Sequence, residues 1–252
     1  MLNRSLLIAA AVVALAACNK KDDAAANVDV NAPLKTAPVA APNNGDWTTV
    51  VAETPEGGYL MGNPQAKAKL VEFGSMTCPH CREFEEQAHQ ALLDKYVKTG
   101  LASFEFRNYV RDPFDMTASI IARCGGKDAF FALTHAMYED QATWVGKIQA
   151  ADPARLNQLQ AMPASAQFPE MAKLTGLDSF ATMRGVPRAQ VDKCLADQTA
   201  ATKLVSMNSD AVSRYEINGT PSFLLNGEVV ELGNSGTVWS QLEPKIRAAI
   251  GG

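Results

Sequence analysis

The sequence predicts an α/β fold in which a small mixed sheet, packed between helices, is interrupted by a long helical segment. A strand, a helix and a second strand follow one another between residues 69 and 110. The strand signal then disappears over residues 113–217, where helical runs alternate with stops. It returns as a hairpin at residues 222–231, after which a helix completes the pattern. Helices on both sides of one sheet are the simplest way to bury these elements.

The first part of the predicted layer contains three strands and one helix. Trp47–Val51 is predicted as an edge strand, and the largely apolar Lys69–Phe73 as a central one. A helix begins at Cys78, repeats apolar residues at helical spacing and ends at Gly100. Alternating residues in Leu101–Val110 predict the next strand.

The helical segment and the return to strands carry clear boundary signals. Asp152-Pro153 is a helix N-cap followed by proline at the first helical position. Asn226-Gly227 is typical of the two-residue turn of a β-hairpin. A last helix is predicted from about residue 237 to 250, with a kink at Pro244. The longer helical runs before the hairpin are predicted over residues 114–124, 128–145 and 199–217.

Composition indicates an ordinary globular protein. Of its 252 residues, 47% are hydrophobic and 20% are charged, which is enough apolar material for a core. The formal net charge is −4, so no nucleic-acid partner is predicted.

The first residues have the pattern of an export signal. Arg4 precedes a short apolar run, Leu6–Leu15, and small residues lead to Cys18. The run is too short for an ordinary membrane span, so residues 1–17 are predicted as a signal peptide. Leu15-Ala16-Ala17-Cys18 resembles a bacterial lipobox, which implies that Cys18 is lipidated and anchors the protein to a membrane. The alternative is ordinary cleavage nearby that leaves Cys18 an unmodified thiol.

Residues 18–45 are predicted to form a disordered tether between the lipid and the fold. The segment is rich in Ala, Asn, Asp and Pro and has no apolar period.

The cysteine count indicates two pairs. The chain has five cysteines, and four remain if Cys18 carries lipid. In an oxidising compartment an even set is expected to pair. Cys78 and Cys81 form the local pair, which leaves Cys124 and Cys194 as a predicted structural disulfide. Such a bridge encloses about 70 residues and contributes roughly 4 kcal/mol. The alternatives are two buried free thiols or a second redox pair.

Cys78-Pro79-His80-Cys81 follows the central strand and opens a helix. Two cysteines three apart on a first helical turn lie within disulfide reach. Unpaired N–H groups and the helix dipole favour a thiolate at the first of them. The pair can therefore exchange two electrons; the alternatives are an inert disulfide or half of a zinc site. Zinc needs about four ligands, and no second Cys-x-x-Cys or His-x-x-x-His is present, so no metal and no cofactor other than the redox disulfide is predicted.

The segment from Leu70 to Cys81 resembles the active-site segment of DsbA-like thiol-disulfide oxidoreductases, which belong to the thioredoxin superfamily. Gly219-Thr220-Pro221-Ser222-Phe223 resembles the cis-proline loop of that family. The resemblance covers most of residues 58–250. It implies a thioredoxin fold with an inserted α-helical domain. The parts are residues 46–112 for the first part of the fold, 113–212 for the insertion and 213–252 for the second part.

The same resemblance implies a role for each site residue. Cys78 is the exposed nucleophile, and Cys81 is the buried resolving thiol. Glu72 is a buried carboxylate that exchanges protons with Cys81, unless it is a strand-edge glutamate facing water. His80 adds positive charge beside Cys78, unless it is a solvated surface histidine.

The cis-proline loop is implied to hold the client. Pro221 is expected in the cis form, packed against the cysteine pair, and its loop is expected to pair with an extended client segment. Thr220, Met76 and Pro79 are expected to contact that client. Outside the motif, His89 is predicted to be solvated and His135 to be packed among aromatic residues.

The resemblance implies a periplasmic enzyme that introduces disulfides into exported proteins still exposing cysteines. A DsbB-like membrane partner would reoxidise it. Thr220 departs from the valine common in the best-known oxidases, and threonine at this position also occurs in isomerases and reductases. The isomerases carry an added dimerisation domain, so a membrane-tethered reductase is the main alternative. The other is a non-enzymatic module in which Cys-x-x-Cys binds a metal.

Overall fold

The computed structural model describes residues 28–42 and 45–251. The predicted signal peptide, residues 1–17, and the predicted lipid attachment site, Cys18, lie outside the described residues. Within the described ranges, no helix is both long enough and apolar enough to cross a membrane.

A mixed sheet forms the centre of the molecule. Its strands are β1 (Val51–Glu53), β2 (Tyr59–Gly62), β3 (Ala68–Gly74), β4 (Ala102–Asn108), β5 (Ser222–Leu225) and β6 (Glu228–Val229). They lie in the order β1-β2-β4-β3-β5-β6. The pair β3–β4 is parallel, because a helix connects these two strands, and the other neighbours are antiparallel.

Helices cover the sheet and fill the long segment between β4 and β5. The helix between β3 and β4 is α1 (Pro79–Ala91), which continues as a π-helical stretch, Leu92–Val97. The others are α2 (Pro113–Cys124), α3 (Lys127–Glu139), α4 (Gln141–Gln149), α5 (Pro153–Gln160), α6 (Ala164–Thr175), α7 (Leu177–Met183), α8 (Arg188–Ala196), α9 (Gln198–Tyr215) and α10 (Val238–Ile250).

Strand β3 faces core on both sides, which explains its apolar sequence. Side chains alternate along a strand, so Leu70 and Glu72 share one face while Val71 and Phe73 share the other. Leu70 belongs to the main core together with Phe84 of α1. Val71 and Phe73 belong to a second cluster, which also contains Ala211, Ile217 and Leu224. Glu72 therefore points toward the side of the sheet covered by α1.

Local boundary signals are confirmed where they depend on turn chemistry. Asn226 and Gly227 have φ values of 54° and 87°, the left-handed conformation that a tight hairpin requires. The Asp152 side chain accepts a hydrogen bond from the Ala154 backbone N–H and caps α5, with Pro153 as its first residue. Pro244 lies inside α10.

Two predicted elements are wrong. Trp47–Thr49 form a 3-10 turn rather than a strand, because Asp46 caps Thr48 N–H and bends the chain, and of the predicted strand only Val51 lies in β1. The helix predicted over residues 128–145 is divided into α3 and α4, since the backbone leaves helical geometry at Asp140 (φ −95°, ψ 10°).

The predicted boundary between residues 212 and 213 falls inside a helix. Helix α9 continues to Tyr215 without interruption. Ala211 packs with Val71 and Phe73 against the sheet, so the end of α9 belongs structurally to the layer that it covers.

The segment predicted as a disordered tether lies in part against the folded body. The Arg247 guanidinium of α10 donates hydrogen bonds to the carbonyls of Val30 and Ala32. Val39 N–H donates to the Thr99 carbonyl over 2.8 Å. Its own carbonyl accepts a hydrogen bond from the buried Trp47 indole, also over 2.8 Å. Residues 28–42 thus differ from the prediction, because their backbone groups find partners on the folded body.

Cys124 and Cys194 form a disulfide in the structure, with an S–S distance of 2.08 Å and a Cα–Cα distance of 5.9 Å. The bridge joins α2 to α8 within the helical segment.

Candidate redox site

The Cys78–Cys81 motif lies where β3 ends and α1 begins. Cys78 is the N-cap residue of α1, and Pro79 occupies the first helical position, where its missing N–H has no intrahelical role. Cys81 lies in the first turn, on the buried face of the helix. Both residues carry free thiols in the structure, so the site is described in its reduced form.

The Cys78 sulfur is poised to be a thiolate at neutral pH. Its pKa is lowered to about 5, chiefly by a hydrogen bond from the Cys81 side chain. The Thr220 side chain and the backbone N–H groups of Cys81 and His80 lower it further, and together they outweigh burial, which raises it. Helix N-terminal N–H groups therefore act here as the sequence predicts.

Cys78 is less accessible than a freely exposed nucleophile. The residue is 2% exposed, which differs from the exposed position that the resemblance implies. In its protonated form the thiol donates a hydrogen bond to the Thr220 carbonyl over 3.2 Å, so the cis-proline loop covers it.

Cys81 is held as a neutral thiol. It is fully buried, and burial raises its pKa well above the ordinary value, with the neighbouring Cys78 and Glu72 charges adding to the effect. The Ser75 backbone N–H donates a weak contact to Cys81 Sγ over 3.5 Å. The two sulfurs thus have opposite preferences, the outer one for the anion and the inner one for the thiol.

Glu72 is a buried acid close to this pair. It is 1% exposed, and its Oε1 has no hydrogen-bond partner among the described residues. Burial raises its pKa well above the ordinary value, and the charges of Glu85 and Cys78 raise it further. The water-facing alternative for Glu72 is excluded, because the side chain lies under α1 instead of at a strand edge.

Three side chains from the helical segment hold the loop before the motif. Asp115 of α2 accepts hydrogen bonds from Ser75 Oγ over 2.6 Å and from Met76 N–H over 2.8 Å. The Tyr138 hydroxyl donates to the Ser75 carbonyl over 3.1 Å. The Gln141 amide donates to the carbonyls of Met76 and Cys78 over 2.8 and 3.0 Å.

Sequence reasoning missed these three loop-holding residues. Asp115 and Tyr138 lie in helical runs where they read as ordinary helix residues, and Gln141 follows the break after α3. Only the turn that splits α3 from α4 brings Gln141 under the loop. One sequence signal pointed to the position of Asp115: Asp112-Pro113 is typical of a helix N-terminus, and it places Asp115 in the first turn of α2.

The structure corrects one of the expected client contacts and leaves another accessible. Met76 is fully buried in the main core, so it does not line a client surface. Its backbone is fixed by Asp115 and Gln141, which turns its side chain inward. Pro79 is exposed beside Cys78, where a client can reach it.

The His80 ring is exposed and pairs with a glutamate of the same helix. Its Nδ1 pairs with Glu83 Oε2 over 2.9 Å, and its side chain is 69% exposed. The pKa of the imidazole is raised mainly by that Glu83 hydrogen bond. The His80 backbone N–H lowers the pKa of Cys78, and the Cys78 charge in turn raises the pKa of the imidazole.

The Thr220-Pro221 loop lies directly against the motif. The Thr220-Pro221 peptide bond is cis, and the Thr220 carbonyl is the group in contact with Cys78 Sγ. Thr220 Oγ1 is buried and, with the Cys78 thiol protonated, has no hydrogen-bond partner among the described residues; it stabilises the thiolate by donating to it once the thiol has lost its proton. Pro221 also lines an open cleft, together with Tyr215, Ser222, Val229, Val230 and Leu232.

Comparisons with known proteins agree with this geometry. A family model described as Thioredoxin matches residues 54–242. The chain belongs to the thioredoxin family. Its fold is a thioredoxin fold with an inserted helical domain, as the resemblance implied.

Three similar proteins show how far the similarity extends. The crystal structure of a protein-disulfide isomerase from Novosphingobium aromaticivorans is 34% identical, with a TM-score of 0.71, and the match covers 77% of this chain and 97% of that one. Wolbachia pipientis α-DsbA1 has a TM-score of 0.59 at 20% identity, covering 78% and 94%. A putative protein-disulfide oxidoreductase of Rickettsia bellii is 27% identical over 176 residues, which is 70% of this chain and 60% of the relative.

Replacing Asp115 with alanine in this thioredoxin-family chain is expected to loosen the motif loop. The buried carboxylate accepts three hydrogen bonds, from the Ser75 hydroxyl and from the backbone N–H groups of Met76 and Arg111. Its loss leaves these donors unpaired and is expected to lower the free energy of unfolding by about 2–4 kcal/mol. Urea unfolding measures this loss. The matched control is Asp112→Ala, which removes a partly exposed helix cap and costs only about 1 kcal/mol. Equal losses in both variants would contradict the loop-holding role.

Proposed function

We propose that the protein is a thiol-disulfide oxidoreductase that introduces disulfides into exported proteins. The observation that carries this proposal is the opposite ionisation of the two sulfurs. Burial keeps Cys81 a thiol, while hydrogen bonds lower the pKa of Cys78 to about 5. The names of the Rickettsia and Wolbachia relatives support the same reaction class.

The reaction uses the oxidised Cys78–Cys81 pair. A client thiolate attacks Cys78 Sγ and forms a mixed disulfide, while Cys81 leaves as a thiolate and takes up a proton. Glu72 in its protonated form is the nearby acid that supplies this proton. A second client thiolate then attacks the client sulfur, and Cys78 departs as a thiolate. Two electrons pass from the client dithiol to the cysteine pair, and a DsbB-like membrane partner removes them.

Stabilising the Cys78 thiolate favours the reduced form and so makes the disulfide an oxidant. A pKa of about 5 lies two units below neutral pH. Two units correspond to about 2.7 kcal/mol, or about 60 mV for a two-electron couple. This shift raises the reduction potential, which is the direction that an oxidase requires.

The cleft beside Pro221 is the proposed client site. It shares Pro221 with the loop whose Thr220 carbonyl covers Cys78, and an extended client segment can hydrogen-bond to that loop. The proposed setting is the periplasm, with lipid on Cys18 holding the protein at a membrane.

The decisive experiment is the equilibrium of the Cys78–Cys81 pair with glutathione, read by alkylation and mass spectrometry. An oxidase is expected to have a potential above about −180 mV, whereas a value near −270 mV would make the protein a reductase. Turnover with a reduced unfolded client, with insulin and with a scrambled client separates oxidation, reduction and isomerisation. The scrambled client is included because the Novosphingobium relative is named an isomerase. Cys78→Ser is expected to be inactive with all three, and retained turnover would refute the redox function.

A further inference from the structure

Two histidines and a glutamate meet on the surface between α1 and α3. Glu85 and His89 are one turn apart on α1, and His135 faces them from α3. Glu85 Oε1 lies 2.7 Å from His89 Nδ1 and 2.8 Å from His135 Nδ1. One coordinating atom from each of the three residues can be chosen so that all lie within 4.8 Å of one another. We call these three residues the His-Glu cluster.

The His-Glu cluster is partly enclosed. Its side chains are 14% exposed for Glu85 and about one third exposed for the two histidines, whose rings stack with centroids 3.9 Å apart. A small cavity of about 30 Å³ lies behind it, with room for one or two water molecules. Thr134 lines this cavity, is 4% exposed, and its Oγ1 has no hydrogen-bond partner among the described residues. Buried hydroxyl groups are normally hydrogen-bonded, so the unpaired Thr134 hydroxyl points to a polar group that binds in this cavity.

Charge around the His-Glu cluster suits a dication. In the described part of the chain, the two imidazoles are the ion-pair partners of Glu85, and no lysine or arginine pairs with it. A second carboxylate, Glu139 Oε1, lies 3.5 Å from His135 Nε2. A carboxylate behind a metal-bound imidazole is the usual arrangement that fixes the ring in its ligand orientation.

We propose that Glu85, His89 and His135 bind one divalent zinc-type metal ion. Two imidazole nitrogens and one carboxylate oxygen are a donor set that zinc accepts, and water in the cavity would supply the fourth ligand. Ligand atoms around tetrahedral zinc lie about 3.3 Å apart, given zinc–ligand distances of roughly 2.0–2.1 Å. The two Nδ1–Oε1 contacts must therefore lengthen by about half an ångström, which rotation of the partly exposed rings allows. The metal would take the place of the protons that lie between Glu85 Oε1 and the Nδ1 atoms of His89 and His135.

The His-Glu cluster is absent from the sequence prediction for a physical reason. Its ligands come from two helices far apart in the sequence, and Glu85-x-x-x-His89 alone is a common surface pair. His89 was predicted to be solvated, and the structure instead stacks it on His135.

Zinc binding to the full-length, tag-free protein tests this proposal. The Cys78–Cys81 pair is kept oxidised, because its thiolates would otherwise compete for the metal. Isothermal titration with Zn²⁺ is expected to show one site that His89→Gln and His135→Gln each weaken by more than about tenfold. Zn²⁺ should also raise the melting temperature of the wild type, but not that of the double variant.

The chain offers a matched control, because His80 is its third histidine and also pairs with a glutamate. His80→Gln is expected to leave zinc affinity unchanged, since with the cysteine pair oxidised His80 is not part of a three-ligand group in the described part of the chain. Glu85→Gln keeps the shape of the side chain and is expected to weaken binding if the histidine variants fold poorly. Co²⁺ replaces Zn²⁺ as a spectroscopic probe and should give tetrahedral absorption bands only when the cluster is intact. Equal binding by the wild type and the His89→Gln/His135→Gln double variant would overturn the proposal, and so would an equal loss in His80→Gln.

Discussion

Replacing Cys81 with serine is expected to stop turnover and to leave Cys78 joined to its client. The substitution is nearly isosteric at a fully buried position, and serine can still accept the hydrogen bond from Ser75 N–H. Cys78 remains able to attack a disulfide, but no inner thiol is left to release the product. Client oxidation should fall to the rate of the client alone. Non-reducing gels and mass spectrometry after mixing with insulin should show a stable adduct on Cys78.

The other cysteine pair supplies the control for this experiment. Cys124→Ser/Cys194→Ser opens a loop with a sequence separation of 70 residues, which is expected to cost about 4 kcal/mol of stability. Assayed below its melting temperature, this variant should turn over clients like the wild type. Turnover lost in a folded Cys124→Ser/Cys194→Ser protein would make that pair part of the redox chemistry. Turnover retained in Cys81→Ser would exclude Cys81 as the resolving thiol.

Replacing Glu72 with leucine is expected to stabilise the oxidised protein at pH 8 by about 1–3 kcal/mol. The carboxyl is buried and its Oε1 is unpartnered among the described residues, so an apolar side chain of similar size removes an uncompensated group. The folded protein holds a proton on Glu72 that the unfolded chain releases above pH of about 4.3. Wild-type stability therefore falls as the pH rises from that value through the raised folded pKa. The difference between variant and wild type should widen over the same pH range.

A second buried glutamate gives the opposite expectation. Glu105 of β4 accepts two hydrogen bonds from the Arg107 guanidinium over 2.7 and 3.0 Å. Glu105→Leu removes both hydrogen bonds and leaves the guanidinium only a 3.8 Å contact with Glu56 Oε2, so it is expected to destabilise the protein by about 3–5 kcal/mol. Urea unfolding at pH 4, 6 and 8 measures both variants. A Glu72→Leu protein less stable than the wild type at pH 8 would mean that the carboxylate is compensated by groups that the structure does not reveal.

The parts of the site that depend on residues close together in the sequence could be predicted. Cys78, Pro79 and Cys81 could be placed on a first helical turn because their roles depend on spacing within one element. The hairpin at Asn226-Gly227 followed from turn chemistry in the same way. The family resemblance, not spacing, supplied the contact between the Pro221 loop and Cys78, which lie more than 140 residues apart.

Contacts made by ordinary polar residues over long distances could not be predicted. Gln141 holds the carbonyls of Met76 and Cys78, yet glutamine at a helix start has no pattern that points to a distant loop. Met76 was predicted at a client surface because it neighbours the motif, whereas packing turns it into the core. His89 and His135 likewise meet only when α1 and α3 pack together.

Docking of the N-terminal segment would limit how far the folded body can lie from a lipid anchor at Cys18. Arg247 fixes the chain at Val30 rather than letting it swing free from Gly45. In the lipid-anchored form proposed above, twelve residue steps separate Cys18 from this fixed point. Fully extended, these twelve steps span at most about 40 Å. A tether that was undocked as far as Gly45 would span roughly 95 Å. Clients would then be oxidised close to the bilayer, where newly translocated chains emerge, and not deep in the surrounding compartment.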